Sequence, residues 1–186
     1  QATLDQMTLG SGLNANVPYA STLVVTGGLN LNGATLNLKD YGASLRFDGS
    51  GVQQLNGING TIADVFTGRY SPYNRQITTS GTNTSLQIGS GVTVNHSTGD
   101  LTISNLSGNQ GTLLATGGTL NVSGSNWSNT GTGLIEASGG RVVLSGAWIN
   151  SGSLSANTST IAFASPVPLS NLGSVSYGST GNFEVA

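Results

Sequence analysis

The run Gly139-Gly140-Arg141-Val142-Val143-Leu144-Ser145-Gly146-Ala147-Trp148-Ile149-Asn150-Ser151-Gly152-Ser153-Leu154-Ser155-Ala156 decides the fold. Val142 and Leu144 sit at i and i+2, the period of a strand with one buried face. Asn150-Ser151-Gly152 is a turn, because Asn and Gly tolerate the tight backbone that joins two strands. Leu154 and Ala156 then open a second strand, and Trp148 lies between the first pair and the turn.

The same order recurs on both sides. The first pair is Leu101 with Ile103, Leu120 with Val122, and Ile161 with Phe163. The intermediate apolar residue is Leu106, Trp127 and Leu169, and the second pair is Leu113 with Ala115, Ile135 with Ala137, and Val175 with Tyr177. The turns are Asn109-Gln110-Gly111, Asn129-Thr130-Gly131 and Asn171-Leu172-Gly173; with Asn150 their asparagines are spaced 20, 21 and 21 residues apart. A further copy starts at Asn182-Phe183-Glu184-Val185. Residues 101–186 are therefore the most regular part of the chain. The first half alternates in the same way at Leu29 with Leu31, Leu36 with Leu38, Leu45 with Phe47, Leu86 with Ile88 and Val92 with Val94.

A fixed period with two or three short strands predicts an all-β chain, a right-handed parallel β-helix (β-solenoid) with coils of about 21 residues. Each strand pairs with its equivalent one coil away, about 4.8 Å along the axis. Stacking is energetically required. About six inward apolar side chains contribute roughly 1.5–3 kcal/mol each on burial, while ordering each backbone residue costs about 1–2 kcal/mol. A lone coil loses that balance; several coils sharing ladders and a core do not. A β-sandwich is the alternative, but antiparallel hairpins do not require one residue type at one place in every repeat.

Composition agrees. Charged residues are 6% of the 186, against about 25% in ordinary domains, and 36% are hydrophobic, too many for a disordered chain. The net charge of −2 carries no electrostatic footprint for nucleic acid, and no apolar run is long enough for membrane insertion as a helix. There is no cysteine, so cohesion comes from stacking and not from disulfides. The whole of 1–186 reads as one β-solenoid, a segment of a longer chain or filament. Residues 64–80 hold Arg69, Tyr70, Pro72, Tyr73 and Arg75 close together and read as an irregular loop leaving the solenoid.

The segments Gly118-Thr119-Leu120-Asn121-Val122-Ser123-Gly124 and Gly139–Gly146, each followed by Trp, Asn-x-Gly and a short strand, resemble the strand repeats of giant bacterial exoproteins, the filamentous-haemagglutinin-like and autotransporter-passenger β-helices. Ser44-Leu45-Arg46-Phe47-Asp48-Gly49-Ser50-Gly51 with Gln54-Leu55-Asn56-Gly57 is similar to another coil type of those proteins. The resemblance covers most of 22–63 and 85–186. It implies an extracellular or cell-surface bacterial protein whose role is structural or adhesive.

Candidate chemistry is sparse. Asn109, Asn129, Asn150 and Asn171 are expected to stack as an amide ladder along the axis. Trp127 and Trp148 are expected to stack in a buried column with Leu106 and Leu169. His96, with Ser97 and Asp100 nearby, has the setting of an exposed turn histidine and not of a catalytic one. One histidine and no cysteine exclude a usual zinc site. The acids Asp5, Asp40, Asp48, Asp64, Asp100, Glu136 and Glu184 are scattered. Neither an enzyme nor a cofactor is expected. The Asn-x-Ser/Thr triplets follow from composition.

The expected function is a non-catalytic structural or adhesive shaft, or a filament subunit whose partners are adjacent coils or identical subunits end to end. The alternative is a carbohydrate-binding or polysaccharide-degrading β-helix. Its ligand or partner loop would be Arg69, Tyr70, Tyr73 and Arg75, with Arg46 and Asp48 nearby, facing a cell-surface glycan or receptor.

Overall fold

The computed structural model describes residues 2–68 and 74–185. Among these, every strand pairing is parallel, and the chain forms a right-handed β-solenoid of about eight turns, each of about 22 residues. Strands are numbered β1–β20 in chain order.

Each turn visits three faces. The first carries β1 (Ala2–Leu9), β3 (Thr22–Asn32), β5 (Ser44–Asp48), β8 (Arg75–Ser80), β11 (Asp100–Ile103), β14 (Thr119–Asn129), β16 (Arg141–Asn150), β18 (Thr160–Phe163) and β20 (Asn182–Val185). The second is built from the later halves of β1, β3, β14 and β16, together with β6 (Val52–Ile58), β9 (Ser85–Ile88) and β12 (Leu106–Asn109). The third carries β2 (Asn14–Val17), β4 (Thr35–Lys39), β7 (Gly60–Val65), β10 (Val92–His96), β13 (Thr112–Ala115), β15 (Leu134–Ala137), β17 (Ser153–Ala156) and β19 (Ser174–Tyr177).

Register follows the apolar pairs. Leu120 pairs with Val142 and Val122 with Leu144; Ile135 pairs with Leu154 and Ala137 with Ala156. These side chains are fully buried and belong to one continuous core. A one-residue slip would turn the whole apolar set to solvent, so the register is firmly specified.

The corner between the first two faces needs a left-handed residue. Asn105 (φ 58°), Asn126 (φ 63°) and Gly146 (φ 81°) supply it in successive coils. Asn126 is the extra residue of a bulge, where the register shifts between Ser125 and Trp127.

Two expectations are corrected here. Residues 64–80 are not one irregular loop: Asp64 lies in β7, and Arg75–Ser80 form β8. Between the two strands, 66–68 and 74 lie outside any strand, and 69–73 fall outside the described residues. The extra length shows in the pairing, since Leu45 meets Ile77, 32 residues later. The aromatic column runs on differently from the sequence reading. Trp127 and Trp148 do stack, with centroids 5.5 Å apart, but Trp148 next meets Phe163 at 5.6 Å, and Phe163 meets Phe183 at 5.9 Å. Leu169 instead begins a single 3₁₀ turn, Leu169–Asn171, and is 86% exposed.

Candidate functional site

The amide ladder occupies the corner between the second and third faces. Asn109 Nδ2 donates to Asn129 Oδ1 at 2.8 Å, and Asn129 Nδ2 donates to Asn150 Oδ1 at 2.7 Å. Each amide also serves its own turn: Gly111 N donates to Asn109 Oδ1, Gly152 N donates to Asn150 Oδ1, and Asn129 Nδ2 donates to Gly133 O. All three side chains are buried, and their polar atoms are satisfied by one another and by backbone. Asn171 is off this ladder. The 3₁₀ turn carries it away, and its Nδ2 donates to Trp148 O while Asn150 Nδ2 donates to Leu172 O at 2.6 Å. The ladder is thus three asparagines long. Its place at the same corner of three successive coils, satisfied from within the fold, gives it a structural task.

A second polar cluster is buried at the corner between the third and first faces. Asp64, Arg75 and His96 all have side chains with no exposure. Register explains how they meet. Asp64 pairs with Leu38 of the coil before, and Arg75 pairs with Leu101 of the coil after, so charged residues stand where other coils place leucine. His96 pairs with Ala115. Arg75 Nη2 donates to Asp64 Oδ2 at 2.7 Å and also to Thr98 O. Asp64 Oδ1 accepts from Ser97 N at 2.6 Å and Ser97 Oγ at 3.0 Å, while Thr98 N donates to Oδ2 at 3.1 Å. His96 Nδ1 lies 3.5 Å from Asp64 Oδ2.

Burial alone would raise the Asp64 carboxyl; contact with His96, the charge of Arg75 and the Ser97 amide together hold it below the ordinary carboxylate range. Burial also lowers Arg75, partly offset by the negative charges of Asp64, Asp40 and Asp100. His96 is therefore a buried partner of Asp64 and not an exposed turn residue, and its Nε2 lies 3.1 Å from Gly99 O. No nucleophile, base and acid line up here, since Ser97 Oγ donates directly to the carboxylate.

The link 66–74 is clamped at both ends by these buried acids. Asp40, in a left-handed turn position (φ 59°), accepts from Thr67 N at 2.8 Å and Thr67 Oγ1 at 2.7 Å. Burial tends to raise this carboxyl, and the two Thr67 bonds lower it past its ordinary value. At the far end Arg75 is tied to Asp64. Of the proposed ligand loop, Arg69, Tyr70 and Tyr73 lie outside the described residues, and Arg75 faces the core where no ligand reaches it.

What Arg75 does position is its neighbours. Asn74 and Gln76 border an open groove of about 500 Å³ on the first face. Its floor is a rung row, Thr22 pairing with Ser44 and Ser44 with Gln76, beside a second row in which Arg46 pairs with Thr78. Tyr41, 41% exposed, stands at the edge with its ring 6.3 Å from that of Tyr19. Arg46 and Asp48 alternate outward from Leu45 and Phe47, and form a bidentate pair, Nε to Oδ1 at 2.7 Å and Nη2 to Oδ2 at 2.8 Å.

Tyr41, Gln76 and the buried triad were missed in the sequence, although parity offered a signal for the triad. Asp64 follows Ile62, His96 follows Val94 and Arg75 precedes Ile77, each two residues from an inward apolar side chain.

No family model matches the sequence, and no curated protein and no solved structure matches it significantly.

Proposed function

We propose that this chain is a non-catalytic structural or adhesive shaft of a bacterial surface or secreted protein, or a subunit of an extracellular filament. The observation that carries this reading is the continuity of the stack. About eight turns share one core, three faces of parallel ladder run along it, and a buried amide column reinforces one corner. Eight rungs at about 4.8 Å make a stiff rod of roughly 40 Å. In such a rod each coil is supported only by its neighbours, so length can be extended by repetition without a new core design. The likeness of residues 118–124 and 139–146 to the strand repeats of giant bacterial exoproteins supports the extracellular setting.

Immunogold labelling of cells that make the protein tests the reading. Label on fibres or on the outer surface is the expected result, and label confined to the cell interior would overturn it.

A further inference from the structure

The geometry points to the groove across β3, β5 and β8 as a binding site for a neutral oligosaccharide, held lengthwise along the solenoid axis. This goes beyond a shaft role and does not depend on it. The groove's floor is made of hydroxyl and amide side chains, with Thr22, Ser44 and Gln76 on successive rungs and Thr78 on the same strand as Gln76. Rungs repeat at about 4.8 Å, close to the length of one sugar ring in an extended glycan, so equivalent donors and acceptors meet successive sugar units. Three strands offer room for two to three units, and about 500 Å³ lies within the usual range of ligand sites, about 300–1,000 Å³.

Charge selects the class. Among the described residues Arg46 is the only charged one lining the groove, and its Nε and Nη2 are engaged with the Asp48 carboxylate, which offsets its charge. An acidic glycan therefore gains little, whereas a neutral one meets a planar, polar pair suited to vicinal hydroxyls. Tyr41 supplies an exposed aromatic face at the edge, on which the C–H side of a pyranose can pack while the tyrosine hydroxyl stays wet. A lipid or apolar peptide would find few apolar partners on this floor.

Precision comes from underneath. Gln76 follows Arg75, whose buried bonds to Asp64 and Thr98 fix the start of β8. Tyr41 follows Asp40, which is held by its bonds with Thr67. Two buried acids therefore set the two sides of one groove.

The test is an array of neutral gluco-, manno-, galacto-, xylo- and N-acetylglucosamine oligosaccharides alongside polygalacturonate and sialylated oligomers, followed by saturation-transfer NMR on any hit. At least one neutral series should bind. Tyr41→Ala and Gln76→Ala should each weaken it by tenfold or more with thermal unfolding unchanged, and Tyr177→Ala, an exposed aromatic on a remote coil, should leave it as it was. No neutral binding at millimolar glycan, binding by acidic oligomers alone, or binding indifferent to Tyr41 and Gln76 would each overturn the proposal.

Discussion

Arg75 Nη2 meets Asp64 Oδ2 at 2.7 Å with neither side chain exposed, inside a core made mainly of aliphatic and aromatic side chains. Two charges taken from water in this way are costly, and their attraction repays that only while both are present. The pair closes the junction between β7 and β8, where the chain departs from its usual coil length.

Removing one partner should therefore cost far more than removing both. Arg75→Leu or Asp64→Leu alone is expected to lose about 3–5 kcal/mol, because each strands a buried charge. The double change to leucine imitates Leu38 and Leu101, the register neighbours in adjacent coils, and should recover much of the loss. Urea unfolding of the three variants measures this; equal losses in single and double variants would refute the coupling.

Acid should weaken the same junction. The folded Asp64 carboxyl is held below its ordinary value of 3.8. The unfolded chain thus takes up the proton first as pH falls, and the stabilisation, full above that value, drains away as pH drops from there through the lower folded value. Asp40 and Asp48 are shifted the same way. Stability measured between pH 6 and pH 2 should fall steeply below about pH 4, and Asp64→Asn, although less stable at neutral pH, should show a shallower acid slope.

Asn129 is the centre of the amide ladder, donating to Asn150 and accepting from Asn109. Asn129→Ala leaves buried groups without partners and should cost about 1–3 kcal/mol for each. Asn171→Ala, off the ladder, should stay within about 0.5 kcal/mol. Thermal unfolding of the two variants side by side separates a ladder from a row of similar turns.

Close stacking also fixes particular glycines. A Cβ on Gly91 would lie 1.9 Å from Gly57 O, a backbone atom that cannot step aside, whereas one on Gly10 meets nothing within 4 Å. Gly91→Ala should lower the unfolding temperature by several degrees or prevent folding. Gly10→Ala should be neutral or slightly stabilising, through reduced freedom of the unfolded chain.

How far the sequence could be read follows from where each signal resides. The pairs Val142 with Leu144 and Leu154 with Ala156, the Asn-x-Gly turns and the recurring spacing determined a parallel β-solenoid, because alternation and turn chemistry are local properties repeated in every coil. Asn109, Asn129 and Asn150 were legible for the same reason. Asn171 shared their pattern, yet it sits in a 3₁₀ turn, and Phe163 with Phe183 continues the aromatic column where Leu169 was expected. The remainder rests on contacts between distant parts of the chain. Asp64 reaches Ser97 across 33 residues and Asp40 reaches Thr67 across 27, and Thr22, Ser44 and Gln76 become neighbours only through register. Tertiary structure alone decided that Arg75 and His96 meet Asp64 at one corner and that a groove opens beside them, since strand parity can mark a residue as inward but which inward residues become neighbours depends on which coil lies above and below.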